Sequence, residues 1–400
     1  MSVHRDKLEQ AVALLREKDL DCWMMLDRES GTMGQSDPSL DLWLPTTIIG
    51  LTVFMITKEG EAYAVVANYD VENLASTGLF TKVVGYELDI RQQLLPLLQE
   101  LEPARIGLNY STDDFTADGL KYGLRLKLEE LLSGTPYLER LTTAEDVVSA
   151  LRGRKVAREV DLLKAACQTT AQIWDALTDY LRPGITEMDA MKFIHQKCDE
   201  LGVQTGWDRR WCPGITAGPE SVAGHNAPSA TLKLQEGTLF SIDFGVKQDG
   251  YVSDLQRTWY LPSASQPQPP AEARQAGEVV RRAIRAAKDA MRPGMHGYEI
   301  DAIARSILVE AGYPEYKSAL GHQVGQGAHD GGVVLGPRDW PRYAKISAGM
   351  LEVGNVFTLE PGAKTSIGRY GAEEMVVVTE QGAEWLIAPQ EEIWLANPHR

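Results

Sequence analysis

Leu181-Arg-Pro-Gly184 recurs as Met291-Arg-Pro-Gly294, 110 residues further on, and the same offset holds at Leu201-Gly202 and Ala311-Gly312. Later, Gly237-Thr-Leu-Phe-Ser-Ile-Asp243 returns as Gly354-Asn-Val-Phe-Thr-Leu-Glu360 at an offset of 117. One four-residue echo can arise by chance. Several in the same order argue for a duplicated unit that runs helix, Arg-Pro-Gly turn, helix, strands. The stretch Pro262–Pro270, rich in Pro, Ser and Gln, reads as the loop between the two halves.

The duplicated part accounts for only some of the 400 residues, a length that calls for more than one domain. The basic segment 151–158 precedes a new helical run, so the expected division is 1–152 and 153–400. In the first part, residues 7–18 carry Leu8, Ala11, Val12, Leu14 and Leu15 at helical spacing. Strand-like runs follow at 22–26, 51–57 and 62–67, the last two joined by a turn at Lys58–Glu61. Helices are expected at 90–101 and 116–132, with a strand at 106–109. Strands alternating with helices predict an α/β layer domain. No chemical motif stands out before residue 150.

Net charge is −16, from 40 basic and 56 acidic side chains, which disfavours nucleic acid or an anionic membrane as partner. The longest apolar-looking stretch, Thr46–Thr57, is far short of the ~20 residues of a spanning helix. No secretory signal is visible at the N-terminus. Cys22, Cys167, Cys198 and Cys212 show no C-x-x-C spacing, so neither a disulfide scaffold nor a structural zinc knot is expected. They read as buried, reduced thiols of a cytoplasmic protein.

The chemistry lies in the repeated strands. Phe240, Ile242 and Phe244 take one face and Ser241 and Asp243 the other; Phe357 and Leu359 oppose Thr358 and Glu360 in the same way. Each half thus sets a carboxylate among apolar residues, which is costly unless it is paired or binds a metal. If the halves face one another across a pseudo-twofold axis, the two carboxylates meet. A second acid follows each: Asp254 past the Asp249-Gly250 turn, and Glu373 (or its neighbour Glu374) past Gly371. One such acid alone is ordinarily a turn or edge-strand charge; four at matching places are not. His322 and His329 sit in the glycine-dense Gly321-His-Gln-Val-Gly-Gln-Gly-Ala-His-Asp330, where backbone can approach a site closely, and His225 sits in a polar loop.

Asp243, the Ser253-Asp-Leu-Gln-Arg-Thr258 run, Gly321-His-Gln-Val-Gly325 with His329, Thr358-Leu-Glu-Pro-Gly362 and Glu373 with Val376-Val-Val-Thr379 together resemble the creatinase/methionine-aminopeptidase superfamily, peptidase family M24. The resemblance implies an α/β (α+β) protein. A creatinase-like N-terminal domain would precede a pseudo-twofold "pita-bread" domain, a curved antiparallel sheet flanked by helices. It points to hydrolysis of the bond before proline in Xaa-Pro dipeptides, with an Xaa-Pro aminopeptidase acting on longer peptides, a metal-free hydrolase and a non-catalytic binding module as alternatives. It implies Asp243, Asp254, His322, Glu360 and Glu373 as ligands of two divalent metal ions, with Asp254 and Glu373 bridging; Glu373 is preferred to Glu374 by its distance from Thr379. Four carboxylates balance two divalent ions, and hard oxygen ligands with one imidazole suit Mn²⁺ and tolerate Co²⁺ or Zn²⁺. Glu360 would move protons, and His225 and His329 would hold the substrate carbonyl.

The sequence departs from the family where many relatives carry arginines. Gly371 stands two residues before Glu373, and Val333 stands four after His329. Arg369 and Arg338 are the nearest substitutes for binding a substrate carboxylate. A homodimer through the N-terminal domain is also expected, with Leu40, Leu42 and Trp43 of the Arg28–Trp43 loop read as exposed contact residues.

Overall fold

The computed structural model describes residues 2–30, 36–221 and 227–396. The chain divides into two units, Met1–Arg152 and Gly153–Arg400.

In chain order the first unit comprises α1 (Val3–Glu17), β1 (Cys22–Asp27), α2 (Leu40–Trp43), β2 (Thr52–Thr57), β3 (Ala62–Ala67), α3 (Val71–Ser76), β4 (Lys82–Tyr86), α4 (Arg91–Leu101), β5 (Ile106–Leu108), α5 (Tyr122–Leu132), β6 (Leu141–Thr143) and α6 (Glu145–Gly153). The six strands form one mixed sheet in the order β4-β3-β2-β1-β5-β6. Both faces are covered, which is why β1, β2 and β3 are buried at every position. Alternation sends Trp23, Met25, Phe54 and Ile56 to the α1 and α2 side. Met24, Leu26, Val53 and Met55 go to the α4 and α5 side. The 58–61 segment joins β2 and β3 as an antiparallel hairpin.

Two expectations need correction. Leu40, Leu42 and Trp43 are 2 %, 2 % and 0 % exposed. Trp43 packs edge-on against Phe54 and Phe80 at 5.6 and 5.9 Å, so these residues close the unit's own core. An apolar triplet in a polar loop has the same pattern whether it covers its own sheet or a partner. Residues 31–35 of that loop lie outside the described residues. Helix α5 also starts later than expected, because Thr116 turns onto Asp114 by two hydrogen bonds and Gly119 lies against Asp37.

The second unit runs through its two halves in the same order. The first has α7 (Ala157–Tyr180), α8 (Glu187–Leu201), β7 (Gln204–Thr205), β8 (Gly214–Ala217), β9 (Leu239–Phe244), β10 (Val246–Gln248), β11 (Tyr251–Val252) and β12 (Leu255–Tyr260). The second has α9 (Ala271–Ala290), α10 (Gly297–Glu310), β13 (Val356–Leu359), β14 (Gly362–Thr365), β15 (Gly368–Gly371), β16 (Glu374–Thr379), β17 (Gly382–Trp385) and β18 (Trp394–Leu395). The Arg-Pro-Gly turns are conformational copies. Gly184 and Gly294 have φ of 91° and 89°, which favours glycine. Each donates its N–H to a residue some fifty positions on: Gly184 to Leu234 O at 2.9 Å, Gly294 to Leu351 O at 2.8 Å.

The sheet is not one continuous ladder. β18-β12-β9-β8 and β13-β16-β17 are separate sheets, with β14-β15 a hairpin, and all pairings among these strands are antiparallel except β12–β18. An isolated antiparallel bridge between Gln256 and Glu373 joins the two halves. That bridge brings the acid-bearing strand ends together. The four cysteines are unpaired and buried. Among the described residues, no helix is long and apolar enough to cross a membrane.

Candidate metal centre

Asp243 sits near the end of β9, with Gln256 directly opposite it on β12. Asp254 is two residues before Gln256 and so shares its face. Glu373 precedes β16 and exchanges both backbone hydrogen bonds with Gln256, at 3.2 Å each. Glu360 follows β13. Ligand atoms of Asp254, His322 and Glu373 all lie within 4.8 Å of one another. His322 Nε2 is 3.8 Å from Asp254 Oδ2 and 3.4 Å from Glu360 Oε1.

His322 is aimed by its backbone. Its N–H donates to Thr358 Oγ1 at 3.1 Å, and its carbonyl accepts from the Thr358 N–H at 2.9 Å. Gly321 makes this possible, since a Cβ there would overlap the Thr358 carbonyl. Nδ1 lies 3.3 Å from the Gln323 carbonyl. A proton on Nδ1 donated there leaves the Nε2 lone pair facing the carboxylates, as a ligating imidazole requires.

Asp254 and Glu373 are 5 % and 2 % exposed. Burial pushes Asp254 well above the usual carboxylate range, and the charges of Asp243 and Glu360 add to the effect. Glu373 is raised by burial and by Asp254, Asp243 and Glu360. Glu360 is pushed up to about 8 by burial and Asp243, against the opposing pull of Arg369. Four carboxylates this crowded stay ionised together only with positive charge placed among them. A set of hard oxygens with one imidazole fits divalent cations such as Mn²⁺.

The alternative acid, Glu374, points elsewhere. It is in a buried ion pair with Arg257 at 2.8 Å and accepts the Gln390 N–H. Arg257 also donates to the Glu373 carbonyl at 2.9 Å and lies 4.8 Å over the Trp174 ring. His329 is exposed, with its ring 4.1 Å from that of His322. Arg369 lies against Gly362, where a Cβ would collide with its guanidinium. Arg338 is exposed and stands over the Tyr298 ring at 5.1 Å. His225 lies outside the described residues. Ser221 Oγ and Ser229 N–H, on either side of that segment, both donate to Glu187, at 2.7 and 2.8 Å.

Sequence reasoning missed three supporting features: the Arg257–Glu374 pair, Gln256, and a buried Lys155–Asp330 pair at 2.8 Å beside His329. A Cβ on Gly325 would overlap Asp330, so the glycine density of this loop serves that pair. It was the one available signal.

A carboxylate–histidine cluster able to hold a metal ion thus lies where the two halves join. Residues 161–380 match metallopeptidase family M24, and the chain belongs to that family. It is similar to an Xaa-Pro dipeptidase of Pyrococcus furiosus, 27% identical over 277 residues that cover 69% of this chain and 74% of the relative. In structure it resembles an Xaa-Pro dipeptidase from Bacillus anthracis, with TM-score 0.72, 22% identity and coverage of 98% and 99% of the two chains. It also resembles an X-Pro aminopeptidase from Thermotoga maritima, with TM-score 0.70, 20% identity and coverage of 97% and 99%. The fold is the pita-bread fold.

Proposed function

We propose that this metallopeptidase hydrolyses the bond before proline in Xaa-Pro dipeptides, using two divalent ions, Mn²⁺ first, held by Asp243, Asp254, His322, Glu360 and Glu373. The observation that carries this reading is the convergence of Asp254, His322 and Glu373 within 4.8 Å, with Glu360 beside His322. When bound, two such ions would lower the pKa of water and polarise the scissile carbonyl. The protein's own part is positioning and proton transfer. Glu360, its Oε1 3.4 Å from His322 Nε2 and ionised once cations offset its acidic neighbours, would take a proton from the attacking water and pass it to the leaving proline nitrogen. His329, with His225, would donate to the carbonyl oxygen as charge develops on it. Proline has no N–H, so its recognition rests on ring shape.

The dipeptide preference draws on the dipeptidase relatives and on Arg369, a cation beside Glu360 able to take a substrate carboxylate. Arg338, which stands over the Tyr298 ring, is the other candidate for that role. An Xaa-Pro aminopeptidase is the second reading, favoured by a structural similarity almost equal to that of the dipeptidase. Rates on Ala-Pro and Ala-Pro-Ala with added Mn²⁺ separate the two. Faster Ala-Pro cleavage supports the dipeptidase, and a steep preference for Ala-Pro-Ala overturns it.

We also infer a homodimer through the 1–152 unit. With Leu40, Leu42 and Trp43 buried, exposed Ile49 and Tyr69 are better contact residues, at 59% and 68%. The four buried thiols and the charge of −16 support a cytoplasmic protein without a nucleic-acid partner.

A further inference from the structure

Gln256 is a polar residue in the middle of this centre to which the metal-ligand set gives no role. Its Cα faces that of Asp243 across the β9–β12 ladder, so the two side chains leave the same face with Cβ atoms about 4.5–5.5 Å apart. Its backbone is paired to Glu373. Its carboxamide lies against the bare Cα of Gly371, where a Cβ would overlap it. Gly371 is itself fixed, since its carbonyl accepts from Thr258 Oγ1 at 2.7 Å and its N–H donates back at 3.1 Å. Among the described residues the half-buried carboxamide makes no hydrogen bond.

A primary amide offers two N–H donors, and an ionised carboxylate only accepts. Carboxylates that bind metal leave outer lone pairs, and donors to those lone pairs fix ligand orientation. A neutral donor does this without upsetting the balance between four carboxylates and two divalent ions. We propose that Gln256 is a positioning residue of the metal centre: its carboxamide, unbonded here and held on the same face as Asp243, would donate to the outer oxygens of Asp243 and Glu373 once the ions are bound, with Gly371 kept bare to admit it. The proposal rests on the metal-centre reading above.

The test is calorimetric titration of the metal-free chain with Mn²⁺. Gln256→Ala should weaken binding 10–100-fold, the usual cost of losing such a partner, with the metal-free Tm unchanged. Gly371→Ala, which displaces the carboxamide without removing it, should also weaken binding. In the Gln256→Ala background it should add nothing, because the two changes act on one interaction. Parental affinity in Gln256→Ala would overturn this proposal alone. A metal-free Tm that falls in step with affinity would overturn it too, by assigning Gln256 to folding. No Mn²⁺ binding by the parent chain would overturn both it and the metal centre.

Discussion

Asp254 has the most to lose from a single atom change. It is buried, faces His322 at 3.8 Å and is raised by Asp243 and Glu360. Asp254→Asn keeps the shape, removes one charge and should abolish peptide hydrolysis while leaving the circular dichroism spectrum unchanged; retained activity would remove Asp254 from the site. Raised carboxylates also set a pH dependence. Between the ordinary glutamate value of 4.5 and about 8, Glu360 binds more protons folded than unfolded. Stability of the metal-free chain should therefore fall as pH rises through that window. With chelator present, Tm should be lower at pH 8 than at pH 5, and Mn²⁺ should close the gap. A flat profile would contradict the crowding. Asp243 and Glu360 were legible in the sequence because strand alternation and the repeat both point to them; Asp254 and Glu373 were legible through their matching places in the repeat, and the preference for Glu373 over Glu374 came from the family resemblance. Gln256 was not legible, because its significance depends on Asp243, Gly371 and Glu373, brought to it only by the fold.

At the level of elements, the join between halves depends on β12 meeting the start of β16. Arg257 and Glu374, both 2% exposed, form that join's buried ion pair. Removing one partner leaves an uncompensated buried charge, so Arg257→Ala should cost about 3–5 kcal/mol in urea unfolding. Replacing both, as Arg257→Met with Glu374→Leu, should cost much less. Equal costs would mean that the pair is not coupled. The helices, the Arg-Pro-Gly turns and the paired strands could be read from periodicity and from glycine. The β12–β18 pairing and the Gln256–Glu373 bridge between the halves could not, because their partners lie more than 100 residues apart. The burial of Leu40, Leu42 and Trp43 was misread for a related reason: local pattern identifies an apolar surface but not what covers it.

For the whole molecule, the −16 charge and the repeat acquire one meaning. Two related halves bring their carboxylates to one place, and cations are what make that arrangement tolerable. If the assembly is a homodimer, sedimentation should give twice the 44.1 kDa of the chain, and Ile49→Asp with Tyr69→Asp should halve it; a parent that sediments as a monomer would sink the assembly inference. The most direct test of the central claim is Met-Pro hydrolysis by the exhaustively chelated chain as Mn²⁺ is returned in measured equivalents. The rate should be absent without metal and rise to a plateau at two equivalents per chain. Hydrolysis that persists after complete chelation would contradict the account.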